Sequence, residues 1–525
     1  MVLHLISEIK PAIRLVRFLS FVCCSLLWAG GCDIDRSRAP SSAVPTHAAG
    51  VADRAETKPK LIVLISIDTL RADHLSLYGH HRFTSPMLDL FALEGTVFED
   101  ANSASPWTLP AHASILTGLY PLKHGVIDDS TRLPDEVPTL AGLLESHGWK
   151  TAAAVNTAWL IPKNYQLTRN FQHFLYVQDV AEQRFPTSQV TDRAIQWINE
   201  FDSENLFVFM HYFDLHSDYA SLKKYERLFL TPYSGKADGS TWQLQLATFP
   251  QPFIDLCQKN FDSKLCRFGI GDSANDLNSS SQIPVFDFDD SRHIEELYDA
   301  GIRQLDTELN RFFQFLEDSG QLESARIIIT SDHGEEFFEH GSFYHFVTTY
   351  QEVLHVPLIF RGVGIPSGRR IATPVSVVDI APTVLSWAGV PIPEAIDGVD
   401  LTPLLESEGD IAEFSGRSLH SEAAGGIMWG KTIEGVVPIF SSIRKGNYKL
   451  VLDSLTGAVE LYDLKDDPLE KTDLSLDEPL VVQALRQEMA DRKEKIEAGP
   501  SFNNRLELDS EERERLRALG YVIGD

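Results

Sequence analysis

A short, apolar, β-branched run, Leu61-Ile62-Val63-Leu64-Ile65-Ser66, constrains this chain more than any other feature. A strand without polar alternation is buried on both faces, and only a sheet covered by helices on both sides provides that. Further strand candidates are Thr151–Val155, Leu206–Met210, Ala325–Thr330 and Val356–Phe360. Helical patterns lie between them, for example Thr139–Ser146 and Ile294–Leu316. The alternation predicts an α/β fold built on a mostly parallel sheet with helices on both faces. Ligands of such sheets bind beyond the carboxyl ends of the strands. With 525 residues, 43% of them hydrophobic and 23% charged, the chain can bury a large core and is globular. Its net charge of −29 excludes the basic face that nucleic-acid binding needs.

The N-terminus reads as an export signal. Lys10, Arg14 and Arg17 precede an apolar run, Phe18 to Trp28, that is short for a membrane span. It ends in Ala29-Gly30-Gly31-Cys32, which resembles a bacterial lipobox with Cys32 as the lipidated first residue. An ordinary signal peptide or an uncleaved anchor is the alternative. Asp33 follows directly, resembling the inner-membrane retention signal of enteric bacteria. The expectation is an exported lipoprotein on the periplasmic side of a membrane, with residues 1–32 as signal and 33–59 as a Ser/Ala/Pro/Thr-rich tether. Beyond Cys23, Cys24 and Cys32 only Cys257 and Cys266 remain, either a small disulfide or two free thiols. They lie in a polar insertion, residues 219–292, that interrupts the strand–helix alternation as a lid or a decoration.

Chemistry-bearing residues gather at the expected strand ends. Asp68 ends the first strand, either as a metal ligand or as the N-cap of a following helix. Asp332 and His333 end another strand, and two adjacent polar groups there have no simple structural explanation. Together the three are read as ligands of a divalent cation. Thr108 precedes Pro110, which suits the first turn of a helix running to about Thr117. The Thr108 hydroxyl therefore falls at a helix N-terminus, where an anion is favoured, or serves simply as the cap.

The segment Thr108-Leu109-Pro110-Ala111-His112, with Thr117-Gly118 after it, resembles the nucleophile segment of the sulfatases, members of the alkaline phosphatase superfamily. Their pattern is Cys-x-Pro-x-Arg followed by Thr-Gly, the cysteine being oxidised to formylglycine. Here Thr108 replaces the cysteine and His112 the arginine, so formylglycine is not expected. The resemblance covers roughly residues 60 to 470 and implies an alkaline-phosphatase-like catalytic domain over 60–415. A small antiparallel C-terminal subdomain over 416–475 and a helical tail over 476–525 complete it. Candidate strands Phe440–Arg444, Tyr448–Asp453 and Ala458–Tyr462 carry the family-like Ile443-Arg444-x-Gly446-x-Tyr448-Lys449-Leu450 and Glu460-Leu461-Tyr462-Asp463.

By the same resemblance Asp68, Thr108, Asp332 and His333 form the metal set, with Thr69 in place of a second aspartate. Calcium ranks first by family similarity, with zinc, manganese and magnesium as alternatives. The unmodified threonine is similar to that of phosphoethanolamine transferases. His216 and His345 match positions that contact substrate, His112 would orient Thr108 or an ester oxygen, and His211 is taken as an ordinary histidine. The Gly-Lys-Trp-His segment of sulfatases has no match; Asn156 occupies that region. The reading is a metal-dependent hydrolase of sulfate, phosphate or phosphonate esters, with Thr108 as nucleophile. Its substrate would be a sulfated or phosphorylated small molecule or glycan. Two alternatives stand beside it: a periplasmic phospho-headgroup transferase, and a non-catalytic, lipid-anchored binding protein of the same fold.

Overall fold

The computed structural model describes residues 58–178, 187–241, 243–244, 286–407, 411–423, 440–454, 456–499 and 504–506. The expected signal, lipobox, the tether up to residue 57, Cys257, Cys266 and the ending after residue 506 lie outside the described residues. Among the described residues no helix is long and apolar enough to cross a membrane.

The main sheet is formed by β1 (Leu61–Ile67), β2 (Thr96–Asn102), β3 (Lys150–Val155), β4 (His173–Tyr176), β5 (Leu206–Tyr212) and β6 (Ala325–Ser331). A two-stranded ribbon of β7 (Glu336–Phe337) and β8 (Phe343–Tyr344) follows, and then β9 (His355–Gly362), β10 (Arg369–Ile371) and β11 (Val375–Ser376) return to the sheet. The spatial order is β10-β2-β9-β6-β1-β5-β3-β4, with β11 beside β2. Strands β6, β1, β5, β3 and β4 are mutually parallel, as the apolar runs require. Strand β9 runs antiparallel to both β6 and β2. Every residue of β1 and β5 is buried, in keeping with a sheet covered on both sides.

A second sheet, β12 (Ser418–Ala423), β13 (Phe440–Lys445), β14 (Tyr448–Asp453) and β15 (Val459–Asp463), is antiparallel throughout. The last strand sits one residue later than its sequence pattern indicates. The helix Pro479–Glu497 packs on this sheet, where Leu485 joins Ile443, Leu450 and Leu461 in a small core. The two parts are bolted together through charge: the buried Asp379 carboxylate accepts from Arg417 at 2.5 and 2.9 Å, and Arg444 reaches Asp100 of β2 at 2.5 Å.

The long helix after the insertion starts earlier than its apolar period indicates, spanning Phe288–Asp318. Asp287 and Asp290 form a capping box that begins it inside the stretch read as insertion. A further helix, Lys223–Phe229, packs against it.

Behind the helix Thr108–Thr117, His124 is fully buried. Its Nδ1 accepts from the Val126 N–H at 3.1 Å, so Nε2–H donates to Ser114 Oγ, also at 3.1 Å. Burial pushes this imidazole down to about 3. An unfolded chain protonates histidine near 6.5, so stability held above that pH is lost as the pH falls toward 3. In urea unfolding, wild type should lose about 2 kcal/mol more than His124→Gln in total between pH 7 and 5. Parallel slopes would contradict the buried neutral assignment.

Candidate active site

Register decides which side chains meet. Ser66 of β1 lies opposite His211 of β5 on one side and Thr330 of β6 on the other. The residues just beyond these strands, Asp68 and Asp332, therefore emerge at the same level, both fully buried. Asp68 caps no helix, because the short helix after it, Ala72–His74, has Arg71 at its cap position. Asp332 Oδ1 accepts from the Thr69 and His333 N–H groups at 3.3 and 2.9 Å. Asp68 Oδ1 and Asp332 Oδ2 have no hydrogen-bond partner. Desolvation raises the Asp68 carboxyl to about 7, and desolvation with the neighbouring Asp68 raises Asp332.

Thr108 is the first residue of its helix, and Trp107 occupies the cap position. The Thr108 hydroxyl lies 3.5 Å from Asp68 Oδ2 and 3.3 Å from His333 Nε2. His333 Nδ1 faces the Gly334 carbonyl at 2.8 Å and must carry the proton, which leaves the Nε2 lone pair toward Asp332 Oδ2 at 3.5 Å and Asp68 Oδ1 at 3.8 Å.

His211, an ordinary histidine on its sequence, belongs to this cluster. Its Nδ1 meets Asn156 Oδ1 at 3.3 Å, while Nε2 has no hydrogen-bond partner and lies 3.3 Å from Asp68 Oδ2. The signal for it was its place in register beside Ser66, which periodicity does not report. Two carboxylates and two imidazoles thus converge, with Asp68 Oδ1, Asp332 Oδ2 and His211 Nε2 unmatched, and Asp68, Asp332 and His333 offer ligand atoms within 4.8 Å of one another. This donor set fits a divalent cation.

His112 also touches the cluster, but both its nitrogens are committed. Nδ1–H donates to the Thr108 carbonyl at 2.9 Å, and Nε2 accepts from Ser66 Oγ at 3.0 Å. A geometric grouping of His112 with His211 and Asp332 therefore offers a poorer ligand set than Asp68, Asp332 and His333. Burial drives the His112 imidazole down to about 3, keeping it neutral. Thr69 holds a left-handed backbone at φ 55°, which is costly for a β-branched residue. Its hydroxyl donates to the Leu215 carbonyl at 3.0 Å, turned away from the carboxylates.

His345 and His216 form the next layer. The His345 ring lies 4.5 Å from that of His333 and 5.2 Å from that of His216. His216 stacks on Phe213 at 4.3 Å, and burial lowers its imidazole to about 3. Glu335, which no sequence pattern marked, holds His345 Nδ1 at 3.0 Å.

The parallel strands and the acids and imidazoles at their ends define a hydrolase of the alkaline phosphatase superfamily. The Sulfatase family model matches residues 60–390, more than half of the chain, and the chain belongs to the sulfatase family. A second model, N-sulphoglucosamine sulphohydrolase, C-terminal, matches residues 338–498. The chain is 25% identical to arylsulfatase K of Homo sapiens over 472 residues, 85% of this chain and 84% of the relative. It is 24% identical over 494 residues to the N-acetylglucosamine-6-O-sulfatase of Bacteroides thetaiotaomicron, covering 83% and 86% of the two chains. Among solved structures, one in complex with its substrate D-glucosamine-2-N,6-O-disulfate superposes with TM-score 0.65 at 20% identity, covering 84% of this chain and 98% of that one. A phosphonate monoester hydrolase from Silicibacter pomeroyi gives TM-score 0.62 at 19% identity, covering 83% and 95%. The chain is thus a sulfatase-family ester hydrolase.

The Asp332-His333-Gly334 turn requires its glycine. A Cβ on Gly334 would meet the Glu352 carbonyl oxygen at 2.1 Å. Gly334→Ala should cost about 1–3 kcal/mol as the turn is pushed aside, read as a lower Tm. An unchanged Tm would mean that the turn yields freely.

Proposed function

We propose that this protein hydrolyses sulfate, phosphate or phosphonate esters with Thr108 as nucleophile. The observation that carries the reading is the Thr108 hydroxyl, set at a helix N-terminus between Asp68 Oδ2 and His333 Nε2. Asp68, Asp332, His333 and His211 would hold a divalent cation, with Thr108 beside it. When bound, that cation would neutralise the paired carboxylates and lower the pKa of the Thr108 hydroxyl. With two imidazoles beside two carboxylates, the donor set is softer than an all-oxygen cage, which favours Zn²⁺ or Mn²⁺ over the calcium of family similarity.

His112 keeps Thr108 in place through the Thr108 carbonyl. The helix dipole favours the negative charge of the ester oxygens. Thr108 Oγ1, having lost its proton to water, attacks sulfur or phosphorus in line with the leaving oxygen, which takes the electron pair of the broken bond, and water then hydrolyses the threonine ester. A sulfated threonine lacks the hemiacetal exit that formylglycine supplies. Phosphorus esters are therefore the easier substrates. A sugar sulfate, of the kind named for the Bacteroides relative, is the alternative substrate class. The carboxylate–imidazole cluster disfavours a purely binding role, and a lipid anchor at Cys32, for which the lipobox-like sequence is the support, would hold the enzyme at a membrane surface.

Turnover of nitrophenyl sulfate, phosphate, phosphodiester and phosphonate esters tests this, each with Zn²⁺, Mn²⁺, Ca²⁺ and Mg²⁺. Thr108→Ala should lose at least about 100-fold in kcat while Tm stays within a few degrees, whereas Thr108→Ser keeps activity. Activity that survives Thr108→Ala would remove the nucleophile assignment. Because Asp68 must give up a proton that burial holds until about pH 7, cation affinity by calorimetry should rise from pH 6 to pH 8 with proton release. A pH-independent affinity would place the cation elsewhere.

A further inference from the structure

We propose that Glu335 is a positioning residue, tied to Tyr219, that fixes the His345 ring so that Nε2 faces the ester's leaving oxygen. This inference rests on the ester-hydrolase reading above.

Three observations converge on it. First, Glu335 is fully buried yet bridges two groups: Oε1 lies 3.0 Å from His345 Nδ1, and Oε2 accepts from the Tyr219 hydroxyl at 2.9 Å. Second, His345 Nε2 is buried without a hydrogen-bond partner, on a ring that sits against His333 and His216. A buried imidazole with one nitrogen held by a carboxyl and the other unmatched resembles the base–orienter pairs of other active sites. Third, the backbone on both sides of His345 is strained. Tyr344 and Phe346 have φ of 74° and 97°, a region bulky residues avoid at a cost of about 1–3 kcal/mol each. The fold tolerates that strain while stacking both rings on His345, 4.0 and 4.6 Å away.

Glu335 is itself rigid. Its N–H donates to the Glu352 carbonyl at 3.1 Å, and its carbonyl accepts from Arg71 at 2.9 Å. Tyr219 is the first residue of the polar insertion, so the hydroxyl that holds Glu335 comes from the segment that interrupts the sheet.

In the reacting state the pair keeps one proton on the line between Glu335 Oε1 and His345 Nδ1, and Nε2 carries a second. When the bond from sulfur or phosphorus to the leaving oxygen breaks, that oxygen keeps the electron pair and takes the Nε2 proton. The remaining proton stays on Nδ1, bonded to the Glu335 carboxylate.

The test uses the full chain with Glu335→Ala, Glu335→Gln and Tyr219→Phe. Glutamine can hold the ring in the same way, its amide oxygen accepting from Nδ1–H while its N–H donates to the Tyr219 hydroxyl oxygen. Each variant is assayed on a nitrophenyl ester, whose leaving group needs no proton, and on an alkyl ester, whose leaving group does. Positioning of a proton donor is worth roughly 100-fold or more. Glu335→Ala should therefore lower kcat on the alkyl ester about 100-fold, leave KM and metal content unchanged, and lower nitrophenyl turnover about tenfold or less. Glu335→Gln should recover most of the loss, and Tyr219→Phe should show a smaller loss of the same kind. Equal losses on both esters, or loss of bound metal, would overturn the proposal.

Nuclear magnetic resonance of ¹⁵N-histidine-labelled protein, assigned with His345→Gln, gives a readout independent of turnover. Wild type and Glu335→Gln should each show one His345 tautomer, and Glu335→Ala a mixture. A mixture in wild type would sink the positioning role even if the enzyme is active. A single tautomer in a protein that hydrolyses none of the esters would instead retire the ester-hydrolase reading, and with it the leaving-group role of His345.

Discussion

Two carboxyl groups, Asp68 and Asp332, emerge side by side from parallel neighbours β1 and β6, and the rest of the site answers that placement. Each keeps one oxygen without a hydrogen-bond partner in the interior, and each is raised above its ordinary pKa by desolvation. A buried pair of this kind is unstable as two anions and of little use as two neutral acids. What surrounds it are lone pairs and fixed N–H groups: His333 and His211 present Nε2, while backbone N–H groups of Thr69 and His333 fix Asp332 Oδ1. The second shell holds tautomers in place, through Asn156 for His211 and the Gly334 carbonyl for His333, as sites built to receive a cation do. The strain at Thr69 is a consequence: the chain must turn at once after Asp68 to keep that carboxylate at the strand end.

Much of this is legible in the sequence. The apolar runs named the parallel strands because burial on both faces leaves no room for alternation, and the polar residues ending them, Asp68, Asp332 and His333, stood out for that reason. Thr108 and His112 were legible through the sulfatase-like segment. What escaped reading has physical causes. Strand β2, Thr-Val-Phe-Glu-Asp-Ala-Asn, carries two acids and a bulge between Phe98 and Ala101, so it shows neither an apolar run nor strict alternation. The antiparallel direction of β9 depends on connection geometry, which composition does not encode. His211 sits within a buried strand and reads as an interior histidine; only its register against Ser66 reveals that Nε2 faces Asp68. Glu335 hides in the same way, as one acid in the acidic stretch Asp332-His333-Gly334-Glu335-Glu336, until its contacts with Tyr219 and His345 single it out.

The replacement of an arginine by His112 is best understood as a change in who supplies charge. A guanidinium at that position would stay positive under all conditions and could neutralise part of the carboxylate pair by itself. His112 cannot. Its Nδ1–H is spent on the Thr108 carbonyl and its Nε2 on the Ser66 hydroxyl, and burial keeps the ring neutral. A permanent positive charge is therefore absent from this spot, where the sulfatase-like pattern would carry an arginine, while both acids remain. In the proposed reading, electrostatic balance would then fall to a cation held with the help of the His333 and His211 lone pairs. The proposed threonine nucleophile fits the same logic. A hydroxyl, unlike the geminal diol of formylglycine, needs strong local activation to ionise at neutral pH, and placing it within hydrogen-bond reach of Asp68 and His333 ties its reactivity to the charge state of that pair. On the proposed mechanism Thr108 and His112, at the head of one helix, would act together, with nucleophile activation and charge balance converging on one buried cluster.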